Sequence, residues 1–359
     1  MKKLLFLLII IVFCGCKREV TEDEIVFRND LAYVVNEQTP YTGILKSLYK
    51  NGQYKEKYYF KNGKPHGECL SFYDNGQLSF KYHFVDGVFD EEQIEYYING
   101  KLKSKSFYKN TKLEGEYVSY YENDILQKKT LYINGIPEGE YIENHPNGVK
   151  KIRTFYKNSK LEGSYEEFYE NNQLKKKILF VNGKSEGEFK EYYRNGTLQK
   201  KGTYINGNLE GTYYLYNRIT KSKFFFNYKN GILDGEAKNP GNNFAIKGFY
   251  KNGKLDGTVT TYLQGNIQEE IPFKNGKIDG ELKRYSLGEL SEIRIYKDDI
   301  FQFGFDISWG GTVEAFVPNS FNSYSLPAEY IKEQINLLDP LHIERVINSI
   351  DLLNDDTAR

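Results

Sequence analysis

Spacing constrains this chain more than any other property. Glycines recur at Gly43, Gly67, Gly115, Gly139, Gly163, Gly187, Gly211 and Gly235 in steps of 24 residues, with Glu91 standing where one is missed. Two looser units follow, ending at Gly257 and Gly280, 22 and 23 residues on. Inside the units lie Asn-Gly-like pairs beginning at Asn51, Asn62, Asn75, Asp86, Asn99, Asn110, Asn123, Asn134, Asn147, Asn158, Asn171, Asn182, Asn195 and Asn206, with the interval alternating between 11 and 13 residues. Asn-Gly between alternating apolar residues is the strongest short-range hairpin signal, because a type I′ turn needs positive φ at both central residues. Each unit therefore reads as two strands. About ten units predict an all-β fold, an elongated antiparallel meander of about twenty strands in which each unit touches only its neighbours. At about 4.8 Å per strand the sheet would extend roughly 100 Å.

Two-residue turns imply a register. Tyr121 then opposes Leu126, Ser119 opposes Lys128, Tyr132 opposes Pro137 and Lys129 opposes Glu140. Alternation puts Gly115, Tyr117, Tyr121, Leu126 and Tyr132 on one face, recurring as Gly187, Phe189, Tyr193, Leu198 and Tyr204. This is an aromatic ladder. The other face takes Glu116, Tyr120, Gln127, Lys129 and Leu131. The same register predicts cross-strand pairs Lys57–Glu68, Lys81–Glu92, Lys105–Glu116, Lys129–Glu140 and Lys177–Glu188.

Composition agrees with the repeat. The 359 residues suggest two domains by length alone, but the 32 Tyr and 32 Gly are largely per-unit ladder and turn residues. Charge balances at 49 Lys+Arg against 49 Asp+Glu, which excludes a nucleic-acid binder with a large basic surplus.

The N-terminus is an address. Lys2 and Lys3 precede an apolar run from Leu4 to Phe13 and then Cys14-Gly15-Cys16. That is the layout of a secretory signal, too short to span a bilayer comfortably. Gly15-Cys16 resembles the lipobox of bacterial lipoproteins, although Phe13 and Cys14 depart from its usual residues. The resemblance implies lipidation at Cys16, cleavage before it, and localisation to the bacterial cell envelope, the outer membrane favoured over the inner in a diderm. Several acyl chains anchor durably where one is marginal. The charged run from Lys17 to Glu24 reads as a flexible tether. With Cys14 removed and Cys16 acylated, Cys69 is left alone, so no disulfide framework is expected.

The pattern Gly-Glu-Tyr-x-x-Tyr-Tyr-x-Asn-Gly-x-Leu, a Lys-rich strand, and then Tyr-x-Asn-Gly-Lys-Leu-Glu-Gly resembles the MORN-repeat-variant family of bacteria. Residues 114–139 and 187–211 carry it most clearly. The stretch from Leu31 to Gly43 resembles that family's first unit. The family is often labelled as the antitoxin part of toxin–antitoxin systems. MORN repeats in general are implied to act as scaffolds, with membrane-lipid binding proposed for some.

The organisation expected is therefore a signal peptide over residues 1–15, a lipidated tether over 16–29, the repeat array over 30–297 and a C-terminal cap over 298–359. The array loses an Asn-Gly turn near Asn217-Arg218-Ile219. At Lys238-Asn239-Pro240-Gly241-Asn242-Asn243 a Pro- and Gly-rich stretch stands in place of a strand, as a bend or a ligand-facing loop. In the cap, Phe301 to Phe316 reads as two strands around Trp309-Gly310-Gly311, and residues 327–339 and 341–353 read as short helices separated by Pro340. Such a cap would cover an edge that otherwise invites aggregation.

Catalytic signals are scarce. His66, His83, His145 and His342 form no metal or triad motif. No phosphate-binding loop, dinucleotide fingerprint or nucleophile elbow is present. The expectation is a non-enzyme with no cofactor and no metal, whose partners are a membrane through the anchor and a protein or glycan, with no nucleic acid. An antitoxin or immunity protein is the alternative, and envelope polysaccharide hydrolysis using a carboxylate pair near residues 236–245 is a further rival. Candidate contact residues are Tyr96, Tyr120 and Tyr192 on the face opposite the ladder, with Lys103 placed against Tyr96 for a cation–π contact.

Overall fold

The computed structural model describes residues 18–241, 243–308 and 313–316 and, singly, Lys332, Asp339, Pro340, Leu341 and Glu344. Residues 1–17, with the expected signal and Cys16, lie outside the described residues, as do Trp309-Gly310-Gly311 and, apart from those five positions, the stretches 327–339 and 341–353 expected to be helices. The described elements are β-strands and one short 3-10 turn. No helix among the described residues is long and apolar enough to cross a membrane. The chain divides into two compact units, Met1–Ser159 and Lys160–Arg359.

In the first unit Glu19–Thr21 runs parallel to Gly43–Leu48. From there each long strand pairs antiparallel with the next in sequence as far as Lys150–Lys157. A separate hairpin, Ile25–Arg28 with Leu31–Val34, packs with Val20, Tyr41 and Phe60 into a small core. The tether expected over 16–29 is corrected from Glu19 onward. Val20 is buried, Lys46 Nζ holds Glu19 Oε2 at 3.0 Å, and the Thr21 N–H donates to Glu24 Oε2 at 2.8 Å. One apolar side chain in a charged run is enough to anchor the strand, because its neighbours keep their charges in water. Gly43 is required by close approach, since a Cβ there would lie 2.4 Å from the Arg18 carbonyl oxygen.

In the second unit antiparallel neighbours run from Gly163–Phe168 to Ile300–Ile307 and Val313–Phe316. The last two are the expected terminal strands. Its core is larger and takes in Phe189, Tyr213, Leu215, Phe226, Ile246, Val259, Ile271, Leu282 and Tyr296. The Pro- and Gly-rich stretch does not replace a strand: Gly235–Asn239 pairs with Phe244–Lys251, and the loop merely ends a shortened hairpin.

The turns are of two kinds, not one. Every second pair is the expected type I′ turn, with both residues at positive φ, as at Asn62 (52°) with Gly63 (80°) and Asn134 (52°) with Gly135 (82°). The alternate pairs have positive φ only at the second residue, as at Gly52 (83°), Asp124 (66°) and Gly196 (81°). There the loop has three residues. The Asp124 N–H donates to the Tyr121 carbonyl at 3.0 Å, the Tyr121 N–H donates to the Ile125 carbonyl at 2.8 Å, and Asn123 Oδ1 accepts the Ile125 N–H at 3.2 Å. This is a type I turn closed by a left-handed residue, and the Asn supplies a side-chain acceptor that fixes it.

The two kinds of turn join successive units in different ways. Beside the three-residue loops, tyrosine hydroxyls reach 23 residues along the chain to a backbone carbonyl: Tyr49 to Phe72, Tyr73 to Tyr96, Tyr97 to Tyr120 and Tyr121 to Asn144 in the first unit, and Tyr169 to Tyr192 and Tyr193 to Tyr216 in the second, all between 2.7 and 2.9 Å. Beside the type I′ turns, the residue before the repeat glycine accepts the first turn N–H of the next unit, from Thr42 and His66 in the first two units and from an acidic residue further on. Glu114 accepts from Asn134, Glu138 from Asn158, Glu162 from Asn182 and Glu186 from Asn206, at 2.7–2.8 Å. The Tyr-x-Asn-Gly and Leu-Glu-Gly motifs are thus the two seams of the stack.

The expected charge ladder exists with different partners. Leu131 opposes Glu138, but Lys129 opposes Ile142, because a bulge containing Gly139 (φ 77°) adds two residues to one strand. Lys129 therefore pairs back to Glu116, at 2.5 Å, and not forward to Glu140. The same correction applies at Lys81–Glu68 and Lys105–Glu92, while Arg153 takes Glu140 at 2.9 Å and Lys177 takes Glu166 at 2.8 Å. Lys57 faces Lys46 and Leu70, not Glu68. These pairs are exposed and contribute about 0–1 kcal/mol each, so they record the register more than they hold it.

Candidate interaction surface

Each sheet presents two chemically distinct faces. The ladder face is built where strand alternation and the bulges turn aromatic rings to one side. In the first unit Tyr117 meets Tyr132 at 6.3 Å and Tyr141 meets Tyr156 at 5.9 Å, both edge to face. In the second, Tyr165 meets Phe180 at 6.2 Å, Phe189 meets Tyr204 at 5.0 Å and Tyr213 meets Tyr228 at 5.9 Å. Small residues form the floor between the rings: Ser106, Ser119, Thr130 and Thr154 are buried there. Thr130 and Thr154 are cross-strand partners of Tyr117 and Tyr141.

Charge is interleaved with these rings. Lys103 Nζ lies 2.6 Å from Glu95 Oε1, Lys151 Nζ 2.6 Å from Glu143 Oε1, and Lys175 Nζ 2.7 Å from Glu167 Oε1. Burial disfavours the charged form of Glu143, but hydrogen bonds from Lys151 and Tyr141 outweigh it and hold the carboxyl below its ordinary value. Burial, with the Glu143 bond second, pushes the Tyr141 hydroxyl up. Burial likewise pushes Tyr82 up to about 12.

The opposite face carries the ion-pair ladder and a row of half-exposed apolar side chains, Phe107, Leu131 and Phe155, at 40–44% exposure. Of the residues singled out from sequence, Tyr96 and Tyr120 belong here in the first unit, beside Lys81 and Lys129, and Tyr192 beside Lys190 in the second. All three are half-buried, and their backbone carbonyls receive the tyrosine hydroxyl bonds described above. Lys103 is not among them. It falls in the irregularity between Leu102 and Ser104, which turns it to the ladder face, where it sits 5.7 Å above the Tyr97 ring and pairs with Glu95. The expected Lys103–Tyr96 contact is therefore corrected to Lys103–Tyr97. Sequence pattern missed this because alternation holds only through unbroken strands.

The second unit's ladder face meets residues from beyond the repeats. Tyr213 donates a hydrogen bond to Glu344, and Lys200 Nζ lies 4.0 Å from the same carboxylate. Lys332 pairs with Asp299 at 2.5 Å. Sequence reasoning placed these residues in a cap but named no contact for them.

Catalytic geometry is limited. Among the described residues no group of three His, Cys, Asp or Glu is placed to hold a metal. A surface cavity lined by Lys109, Asn110, Lys112, Glu114 and Asn134 contains one carboxylate, Glu114, already engaged by the Asn134 N–H. Cys69 is fully buried, and burial pushes its thiol up to about 11.

The fold and its two seams define a β-meander repeat protein. Residues 65–86, 92–110, 113–134, 137–158, 161–182 and 185–206 match the family described as MORN repeat variant. The chain thus carries six repeats of that kind, each a strand, a three-residue loop and a second strand ending at the following turn. No curated protein matches it. Among solved structures it is similar to a chain in the crystal structure of TcdB2-TccC3, at 12% identity over 79% of this chain and 18% of that one, with a TM-score of 0.17. It is likewise similar to a chain in that of TcdB2-TccC3-Cdc42, at 9% identity over 79% and 19%, with a TM-score of 0.16. The chain spans less than a fifth of the length of those two, and the likeness carries no argument about this protein.

Proposed function

We propose that the protein is a non-enzymatic interaction protein, anchored to the bacterial cell envelope through acylated Cys16, whose repeat faces engage a macromolecular partner. The observation that carries this reading is the open ladder face of the first unit. Tyr117 and Tyr141 are half-buried there, whereas the corresponding Phe189 and Tyr213 of the second unit are 3% and 4% exposed. Tyrosine suits such a role, with a rigid apolar ring and a polar tip. Repetition supports it too, because many weak contacts on one rigid array raise avidity toward an extended partner. Tyr96, Tyr120 and Tyr192 are proposed contact positions on the other face.

Two experiments test the reading. Cys16→Ala should move the protein from the membrane to the soluble fraction, and unchanged retention would remove the anchor. A photo-crosslinking amino acid placed in turn at Tyr120 and Tyr141 in cells should yield adducts, and their absence at both positions would remove the interaction role.

A further inference from the structure

Lys128 stands out among the ladder-face lysines. Its Nζ lies between two rings, 5.6 Å from the centre of Tyr117 and 5.2 Å from that of Tyr141. Others on this face are ion-paired: Lys103 with Glu95, Lys151 with Glu143, Lys175 with Glu167, Lys176 with Glu191 and Lys200 with Glu191. Among the described residues Lys128 has no carboxylate within 4.0 Å. The cause is a substitution between repeats. Lys200 opposes Glu191 across the hairpin, while Lys128 opposes Ser119. On its other side stands Glu143, whose oxygens are taken at 2.6 Å by Lys151 and at 2.9 Å by Tyr141.

The second unit shows what completes this arrangement. Lys200, Phe189 and Tyr213 are the counterparts of Lys128, Tyr117 and Tyr141, 72 residues on. There a carboxylate from outside the repeats, Glu344, accepts the Tyr213 hydroxyl bond and approaches Lys200. We propose that the ladder face of the first unit docks an acidic segment of a partner protein, one of whose carboxylates pairs with Lys128 between Tyr117 and Tyr141. A cation already held over two ring faces gains a charge-assisted bond with little further ordering. The proposal rests on the interaction reading above and deepens it by naming the partner's chemistry.

The test uses the chain's own acidic segment as a probe. A synthetic peptide of residues 331–353 is titrated against the full-length protein. Binding is expected, weakened about tenfold or more by Lys128→Glu and restored when Glu344 of the peptide is replaced by Lys. Lys129→Glu, on the opposite face, should leave it unchanged and controls for a general charge effect. Binding lost with Lys200→Glu but not with Lys128→Glu would overturn the site, because the peptide would then be exchanging into the second unit. No binding, or binding indifferent to Lys128→Glu, would overturn it as well. A concentration-dependent dimer broken by Lys128→Glu would overturn the partner in favour of a second copy. Crosslinked adducts at Tyr120 would still sustain the interaction reading in each of these cases.

Discussion

The hydroxyl of Tyr97 donates to the backbone carbonyl of Tyr120 at 2.8 Å, one repeat further along the chain. The same bond recurs at Tyr49, Tyr73 and Tyr121, so a side chain ties each hairpin to the next where the backbone ladder has turned away. Removing the hydroxyl alone leaves a half-buried carbonyl without this donor. Tyr97→Phe should lower stability by about 1 kcal/mol in urea unfolding. Tyr97→Phe combined with Tyr49→Phe should be close to additive, since the two bonds share no partner. A neutral Tyr97→Phe would show that water replaces the bond at no cost.

Glu91 and Thr111 are among the repeat positions whose backbone strain glycine would relieve. Glu91 holds φ at 66° where the other units place Gly, and Thr111 holds φ at 66° in a type I′ turn. Left-handed conformations disfavour side chains, β-branched ones most. Glu91→Gly and Thr111→Gly should each stabilise the protein by up to about 1 kcal/mol, read as a rise in the urea midpoint, the first offset by loss of the 3.2 Å contact between Glu91 and His83.

Glu143 predicts an acid sensitivity. Its carboxyl is held below the ordinary value of 4.5 in the folded chain. Such a group adds stability above its unfolded pKa and loses it as pH falls through the folded one. Glu143→Gln should therefore be destabilising at pH 7, with the gap to wild type closing as the pH falls below about 4.5. A gap that does not change between pH 7 and pH 3 would refute the assignment.

Cys69 predicts a silent thiol. It is fully buried, and burial raises it from 9.0 to about 11. A thiol-reactive dye should fail to label this position at pH 8 in the native protein and label it promptly in denaturant, because both access and thiolate are lacking until the sheet opens. In the opposite sense, ionisation of the unfolded thiol should erode stability as pH rises from about 9 toward 11.

Much of the fold was legible in the residues themselves. The alternation of 11 and 13 between Asn pairs announced two hairpins per unit, and the unequal steps were themselves the sign of two turn types, a three-residue loop and a two-residue one. Reading the strand beyond the type I′ turn as unbroken, without the bulge at Gly139, displaced Lys129 from Glu116 to Glu140. The strand at Glu19–Thr21 was hidden for a different reason. Its evidence in the sequence is a single Val20 among charges, and its partner Gly43–Leu48 is more than twenty residues away.

The sequence alone therefore determined the class of fold, the unit length and the ladder of rings, because glycine, asparagine and strand alternation act locally and repeat. Only the tertiary structure decided which charges meet, which lysine is left between two rings, and that Glu344 reaches Tyr213. Those outcomes depend on a two-residue bulge and on contacts between residues far apart in the chain, which a local pattern does not encode.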